Sequence, residues 1–167
     1  IISSKFLAGL AYSALLILWL AIVSLGVGIL IFGTGELLVV RSEVIIIFDK
    51  TDILWRFILA YGFAILGMTV VCSLAFFFSS LVENAIGPII TTMAVIIIFI
   101  IISAIDVDIF RLVKPYLFTN YILKWREFFN DPLDVNQIIK SIFVLSGHII
   151  VLLGITAIIF QKKDILS

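Results

Sequence analysis

Four long runs of apolar residues contain no Asp, Glu, Lys or Arg: residues 6–32, 57–82, 85–105 and 141–160. A transmembrane helix needs about 20 such residues to cross a hydrocarbon core of roughly 30 Å. An isolated strand would leave its backbone N–H and C=O groups unpaired in lipid, and a β-barrel would need alternating polar residues that these runs lack. The sequence therefore predicts an all-α fold, a polytopic membrane helix bundle with four transmembrane helices in one domain, residues 1–167.

The composition argues against a water-soluble fold and against catalysis. Apolar residues make up 63% of the chain and charged residues 13%, whereas about a quarter of a typical soluble domain is charged. The net charge is zero, so no nucleic acid partner is expected. The sequence has no GxxxxGK(S/T) phosphate loop, no HExxH or GxSxG motif, and a single cysteine, Cys72. We expect the lipid bilayer as a partner, and no catalytic site, metal site or cofactor in this chain.

The connections between the spans differ in length and polarity. Residues 33–54 carry several charges around a short apolar stretch, 44–48, which is either a strand or an interfacial turn. Glu83 and Asn84 predict a tight turn in which Asn84 caps the third helix. The loop 106–140 is the most polar region. Its basic and aromatic side chains over 110–129 predict an amphipathic interfacial helix, interrupted near Pro115.

Few polar groups inside the spans are candidates for a function. His148 is the one group there that titrates near neutral pH, which makes it a candidate proton relay or substrate contact. The alternative is a neutral imidazole bonded to a backbone carbonyl or to a neighbouring helix. Gly9 with Ser13, and Gly147 with Gly154, are candidates for close helix packing because small residues let membrane helices approach each other.

Three stretches resemble a known family. They are SSKFLAGLAYSALLILWLAIVSLGVGIL, FFFSSLVENAIGPIITTMAVIII and FVLSGHIIVLLGITAIIFQKKDILS, the last ending in Phe160 and the tail residues Lys162, Lys163 and Asp164. Their order and polarity resemble the C-terminal two-thirds of a bacterial ABC-type exporter permease of the six-span ABC-2-like family, whose ATPase is a separate subunit.

This resemblance implies that the chain supplies spans three to six and that two spans precede Ile1. It implies a multi-pass protein of the plasma membrane, the inner membrane of the cell. It also implies a partner ATPase that binds ATP and Mg, and a second permease subunit, either identical or related. The loop 106–140 would be extracytoplasmic and contain short helices. The termini would then be cytoplasmic, although the count of lysines and arginines alone favours the opposite orientation.

Two other functions remain open from the residues. One is a secondary carrier driven by protons, with His148 as the titrating group. The other is a noncatalytic membrane anchor subunit of a larger complex. A stable complex with a larger enzyme and without an ATPase would favour the anchor.

Overall fold

The computed structural model describes residues 2–40, 45–82, 84, 86–105 and 107–166. Sequence predictions that fall on Arg41, Glu43, Glu83 and Asp106, or on the side chains of Lys163 and Asp164, lie outside this description. The described elements are, in order, α1 (Ile2–Phe32), β1 (Leu37–Val40), β2 (Ile45–Phe48), α2 (Lys50–Leu81), α3 (Ile86–Ala104), α4 (Asp108–Val113), α5 (Phe118–Ile122) and α6 (Val135–Leu166). Two 3-10 helices, Lys114–Tyr116 and Leu123–Phe129, flank α5.

Four helices, α1, α2, α3 and α6, are long and apolar enough to cross a membrane. The predicted all-α membrane bundle is therefore confirmed. Helices α2 and α6 extend beyond the apolar runs that predicted them, and each has 32 residues. A helix of that length is about 48 Å long, so its ends project past a hydrocarbon core of roughly 30 Å. Asp49 begins α2 as its N-cap, and Asn84 caps α3 as predicted, accepting a hydrogen bond of 2.8 Å from the Gly87 N–H.

Helix α2 lies at the centre of the bundle and packs against α1, α3 and α6. Most of the large apolar side chains on the outer helices remain exposed, including Leu30 and Phe32 on α1 and Ile97 on α3. An apolar surface of this extent is incompatible with water and is what lipid would cover. At one end of the bundle the ring of Phe76 contacts the rings of Phe6 and Phe160, at centroid distances of 5.8 and 6.0 Å.

Several small polar residues are buried between the helices, and their hydroxyls are satisfied within their own helix. Ser73, Ser80, Ser141 and Thr156 are at most 2% exposed. Each donates a hydrogen bond of 2.6–2.7 Å to a backbone carbonyl three or four residues earlier. Such residues allow close helix approach, and their own donors are paired within the helix. Their burial therefore does not imply a polar transport path through one chain.

The two long connections fold together at the other end of the bundle. Strands β1 and β2 form an antiparallel hairpin in which Leu37 pairs with Phe48, so the strand interpretation is correct for 45–48. The predicted interfacial helix over 110–129 is instead four short helical segments, broken at Pro115 and by the extended backbone of Leu117. Its aromatic residues are not all at the surface: Phe118 and Phe128 are buried, with their rings 5.5 and 5.8 Å from those of Phe99 and Phe63. Burial of these rings among α2, α3 and α6 holds the segment more firmly than contact with headgroups alone.

We predict that Leu145→Ala destabilises the bundle by about 2 kcal/mol, because Leu145 is fully buried. This is at the low end for large-to-small core substitutions, since lipid rather than water surrounds the unfolded helices. Phe143→Ala on the same helix is the matched control, because that ring is 75% exposed and its loss should change stability by no more than about 0.5 kcal/mol. Reversible unfolding in mixed micelles measures both, and equal effects would contradict the packing described.

Candidate functional site

Arg56 is a buried charge in the second turn of α2. Its residue surface is only 6% exposed. The Nη1 atom donates hydrogen bonds to two backbone carbonyls, those of Phe128 at 2.8 Å and Asn130 at 2.9 Å. Both carbonyls belong to the connection before α6, so one side chain fixes that connection to α2.

Two aromatic rings complete the surroundings of Arg56. The guanidinium carbon lies 4.3 Å from the ring centroid of Phe48, on β2, and 4.9 Å from that of Trp55. The indole N–H of Trp55 in turn donates to Asp52 at 3.3 Å. Within the described residues no carboxylate pairs with Arg56, and its Nε has no hydrogen-bond partner. Carbonyl dipoles and ring faces therefore offset part of the cost of burying this charge.

The hairpin, Phe57 of α2 and the segment 120–129 line an open cavity of about 760 Å³. This volume is within the range of small-molecule sites. One side is apolar and comes from the hairpin and α2: Leu37, Val39, Val40 and Phe57. The rest of the lining comes from segment 120–129, is mixed, and includes four polar or charged residues: Asn120, Lys124, Arg126 and Glu127.

The charged side of the cavity is ordered by contacts within the segment. Lys124 Nζ lies 3.4 Å from Glu127 Oε1, and Asn130 Nδ2 donates to Glu127 Oε2. The Arg126 guanidinium lies 5.7 Å from the centroid of the Trp125 ring. With two basic residues and one acidic residue, the described lining carries a net positive charge.

The Arg56 contacts and the cavity are physically connected through Phe129. Its ring meets Phe57 edge-on at 5.0 Å and Trp125 at 6.4 Å, and all three rings line the cavity. Phe129 lies between the two residues whose carbonyls Arg56 holds. Arg56 thus positions one side of the cavity without lining it.

His148 lies in α6, away from this cavity. Its Nδ1–H donates to the Val144 carbonyl, 2.8 Å away in the preceding turn, and its ring meets Phe118 edge-on at 5.8 Å. Among the described residues no charged side chain contacts it. This hydrogen bond fits the second of the two interpretations given by the sequence, an imidazole bonded to a backbone carbonyl. It leaves Nε2 as the only ring atom available for another partner.

The predicted packing residues differ in their surroundings. Ser13 donates to the Gly9 carbonyl at 2.9 Å, and a Cβ at Gly9 would be 3.0 Å from the sulfur of Cys72 on α2. Gly9 therefore lies at the α1–α2 contact. A Cβ at Gly147 or Gly154 would meet nothing within 4 Å among the described residues. Neither glycine mediates a helix contact within this part of the chain, because both face its open surface.

Arg56 and the cavity were not predicted from the sequence. A charge at the head of a span usually marks a membrane boundary, and the sequence around Arg56 indicates no more than that. The available signal was the aromatic residue on either side of it, Trp55 and Phe57. Such flanking rings are compatible with a boundary and with a buried guanidinium, and only the fold of the distant segment 120–129 distinguishes the two.

Comparisons with protein-family models, with curated proteins and with solved structures found no match to this chain. The fold and the site therefore define a class, a multi-pass helical membrane protein, and any narrower function is a proposal.

We predict that Arg56→Met loosens the connection before α6. It removes both carbonyl hydrogen bonds while keeping an apolar stem, and bonds of this charge-assisted kind contribute about 2 kcal/mol together after desolvation. Amide hydrogen exchange over 123–130 should then accelerate about 30-fold, because the free energy of local opening falls by about 2 kcal/mol. Arg111→Met is the control, since that side chain is 62% exposed and its ion pair with Asp108 lies on the surface. Unchanged exchange in Arg56→Met would show that Arg56 does not hold the segment.

Proposed function

We propose that this chain is the transmembrane permease subunit of an ATP-driven ABC exporter in the plasma membrane. It forms part of the substrate path and works with a separate ATPase subunit. The observation that carries the proposal is the folded connection between α3 and α6, in which short helices pack back onto the bundle. The resemblance to exporter permeases implies short helices at this point.

The distribution of polar groups supports a path formed between subunits. Buried hydroxyls within the bundle are bonded to their own helices, as described for Ser73 and Thr156. The outer faces of α1 and α3 are apolar and exposed in the single chain. A second permease subunit would meet this chain through such a face, and a hydrophobic or amphipathic cargo would match its chemistry.

The energy for transport would come from the partner. ATP and Mg would bind to the ATPase, and its closure would move the permease helices because ATP has different affinities for the two states. This chain then contributes a path and a hinge rather than a reaction. The proton-driven carrier has less support, because the Nδ1–H of His148 is already bonded to the Val144 carbonyl.

The test is affinity purification of the full-length protein from mild detergent, with identification of co-purifying proteins by mass spectrometry. We predict a near-stoichiometric partner that contains a phosphate-binding Walker loop. An unrelated multi-pass protein with the same tag, prepared from the same membranes, controls for nonspecific capture. Recovery of the protein alone, or with an enzyme that lacks such a loop, would overturn the proposal.

A variant separates the proposal from its rival. His148→Ala should leave the ATPase partner bound and reduce transport only modestly. If pH-dependent transport is abolished while the protein remains folded, the proton-driven carrier is the better description.

A further inference from the structure

We propose that the cavity between the hairpin and segment 120–129 binds an anionic phospholipid, with its phosphate on the charged side and its acyl chains on the apolar side. This inference does not depend on the exporter proposal, because any membrane protein that exposes such a cavity at the right depth meets lipid there.

The depth of the cavity is the first argument. The uncharged part of α2 runs from Phe57 to the helix end at Leu81, about 37 Å at 1.5 Å per residue. This exceeds a hydrocarbon core of roughly 30 Å, so Phe57 lies at its edge, where headgroups begin. Trp55 and Trp125 lie at the same end, as aromatic residues do at membrane interfaces. A molecule that fills the cavity at this level therefore meets both headgroups and the upper acyl chains.

The lining divides into two parts that match such a molecule. Leu37, Val39 and Phe57 provide a surface for acyl chains, and they come from the hairpin and α2. Lys124 and Arg126 provide basic groups, and they come from segment 120–129. A small polar ligand would leave the first surface uncovered, whereas a phospholipid uses both.

The charge of the cavity selects among lipids. Glu127 is the one acidic residue in the described lining, and it already accepts from Asn130 and lies 3.4 Å from the Lys124 ammonium. Within the described lining, the excess of basic over acidic residues favours an anionic phospholipid over a zwitterionic one. Each Lys or Arg near such a group contributes about fivefold to binding.

The test is native mass spectrometry of the purified protein with equimolar phosphatidylglycerol and phosphatidylcholine. Wild-type protein should retain one phosphatidylglycerol per chain in preference to phosphatidylcholine. The double substitution Lys124→Gln with Arg126→Gln should reduce this retention about 30-fold, since two basic residues are lost. Lys140→Gln is the control for charge alone, because Lys140 is exposed on α6 and does not line the cavity.

A second variant tests the cavity itself. Leu123→Trp adds a ring at a lining position that is 53% exposed, so it should obstruct the cavity and weaken lipid retention without unfolding the protein. Leu112→Trp, at a more exposed position outside the lining, should retain the lipid. The stability of each variant is measured by unfolding in micelles, so that loss of lipid can be distinguished from loss of fold.

Three results would overturn the proposal. Equal retention of the two lipids would show that charge does not select the ligand. Retention by Leu123→Trp together with loss in the double variant would place the lipid on the surface rather than in the cavity. Displacement of phosphatidylglycerol by excess inorganic phosphate would identify a site for a free anion instead.

Discussion

The loop end of this protein depends on one buried guanidinium. Arg56 reaches from α2 to the Phe128 and Asn130 carbonyls while its plane contacts the ring of Phe48. It thereby joins three segments that are distant in sequence: the hairpin, α2 and the connection before α6. An arginine suits this position because its several donors lie in a fixed plane that can bond and stack at once, which a lysine cannot do. The cavity exists because these segments are held at a fixed separation.

The elements that the bilayer dictates were predictable from the sequence, and those set by tertiary contacts were not. Lipid requires each crossing segment to satisfy its own backbone, so runs without charge located all four spans. The same reasoning placed the amphipathic segment 110–129 at the surface. Burial of Phe118 and Phe128 instead follows from gaps between helices that no local pattern encodes. Gly9 and Gly147 look equivalent in sequence, yet only Gly9 faces another helix among the described residues, because which face of a helix is covered is decided by its neighbours.

The two ends of the bundle have different physical characters. At the end where α1 begins, Phe6, Phe76 and Phe160 form an apolar contact. At the other end, charged and aromatic side chains surround a cavity, and buried polar groups bond to backbone carbonyls. Under the exporter proposal, one end would couple to the ATPase and the structured connection between α3 and α6 would control the opposite side of the membrane. Lipid bound in the cavity would then stabilise one arrangement of that connection.

The most direct measurement is the accessibility of single cysteines to a membrane-impermeant maleimide, in a Cys72→Ala background. Four exposed positions are substituted: Glu36 and Asp131 in the long connections, and Asn84 and Lys162 at the other end. Four crossings predict that cysteines at Glu36 and Asp131 are labelled from one side, and those at Asn84 and Lys162 from the opposite side. The exporter proposal further places Glu36 and Asp131 outside the cell. If the cysteines that replace Glu36 and Asp131 are labelled from opposite sides, the result would contradict the bundle, the Arg56 contacts and the cavity together.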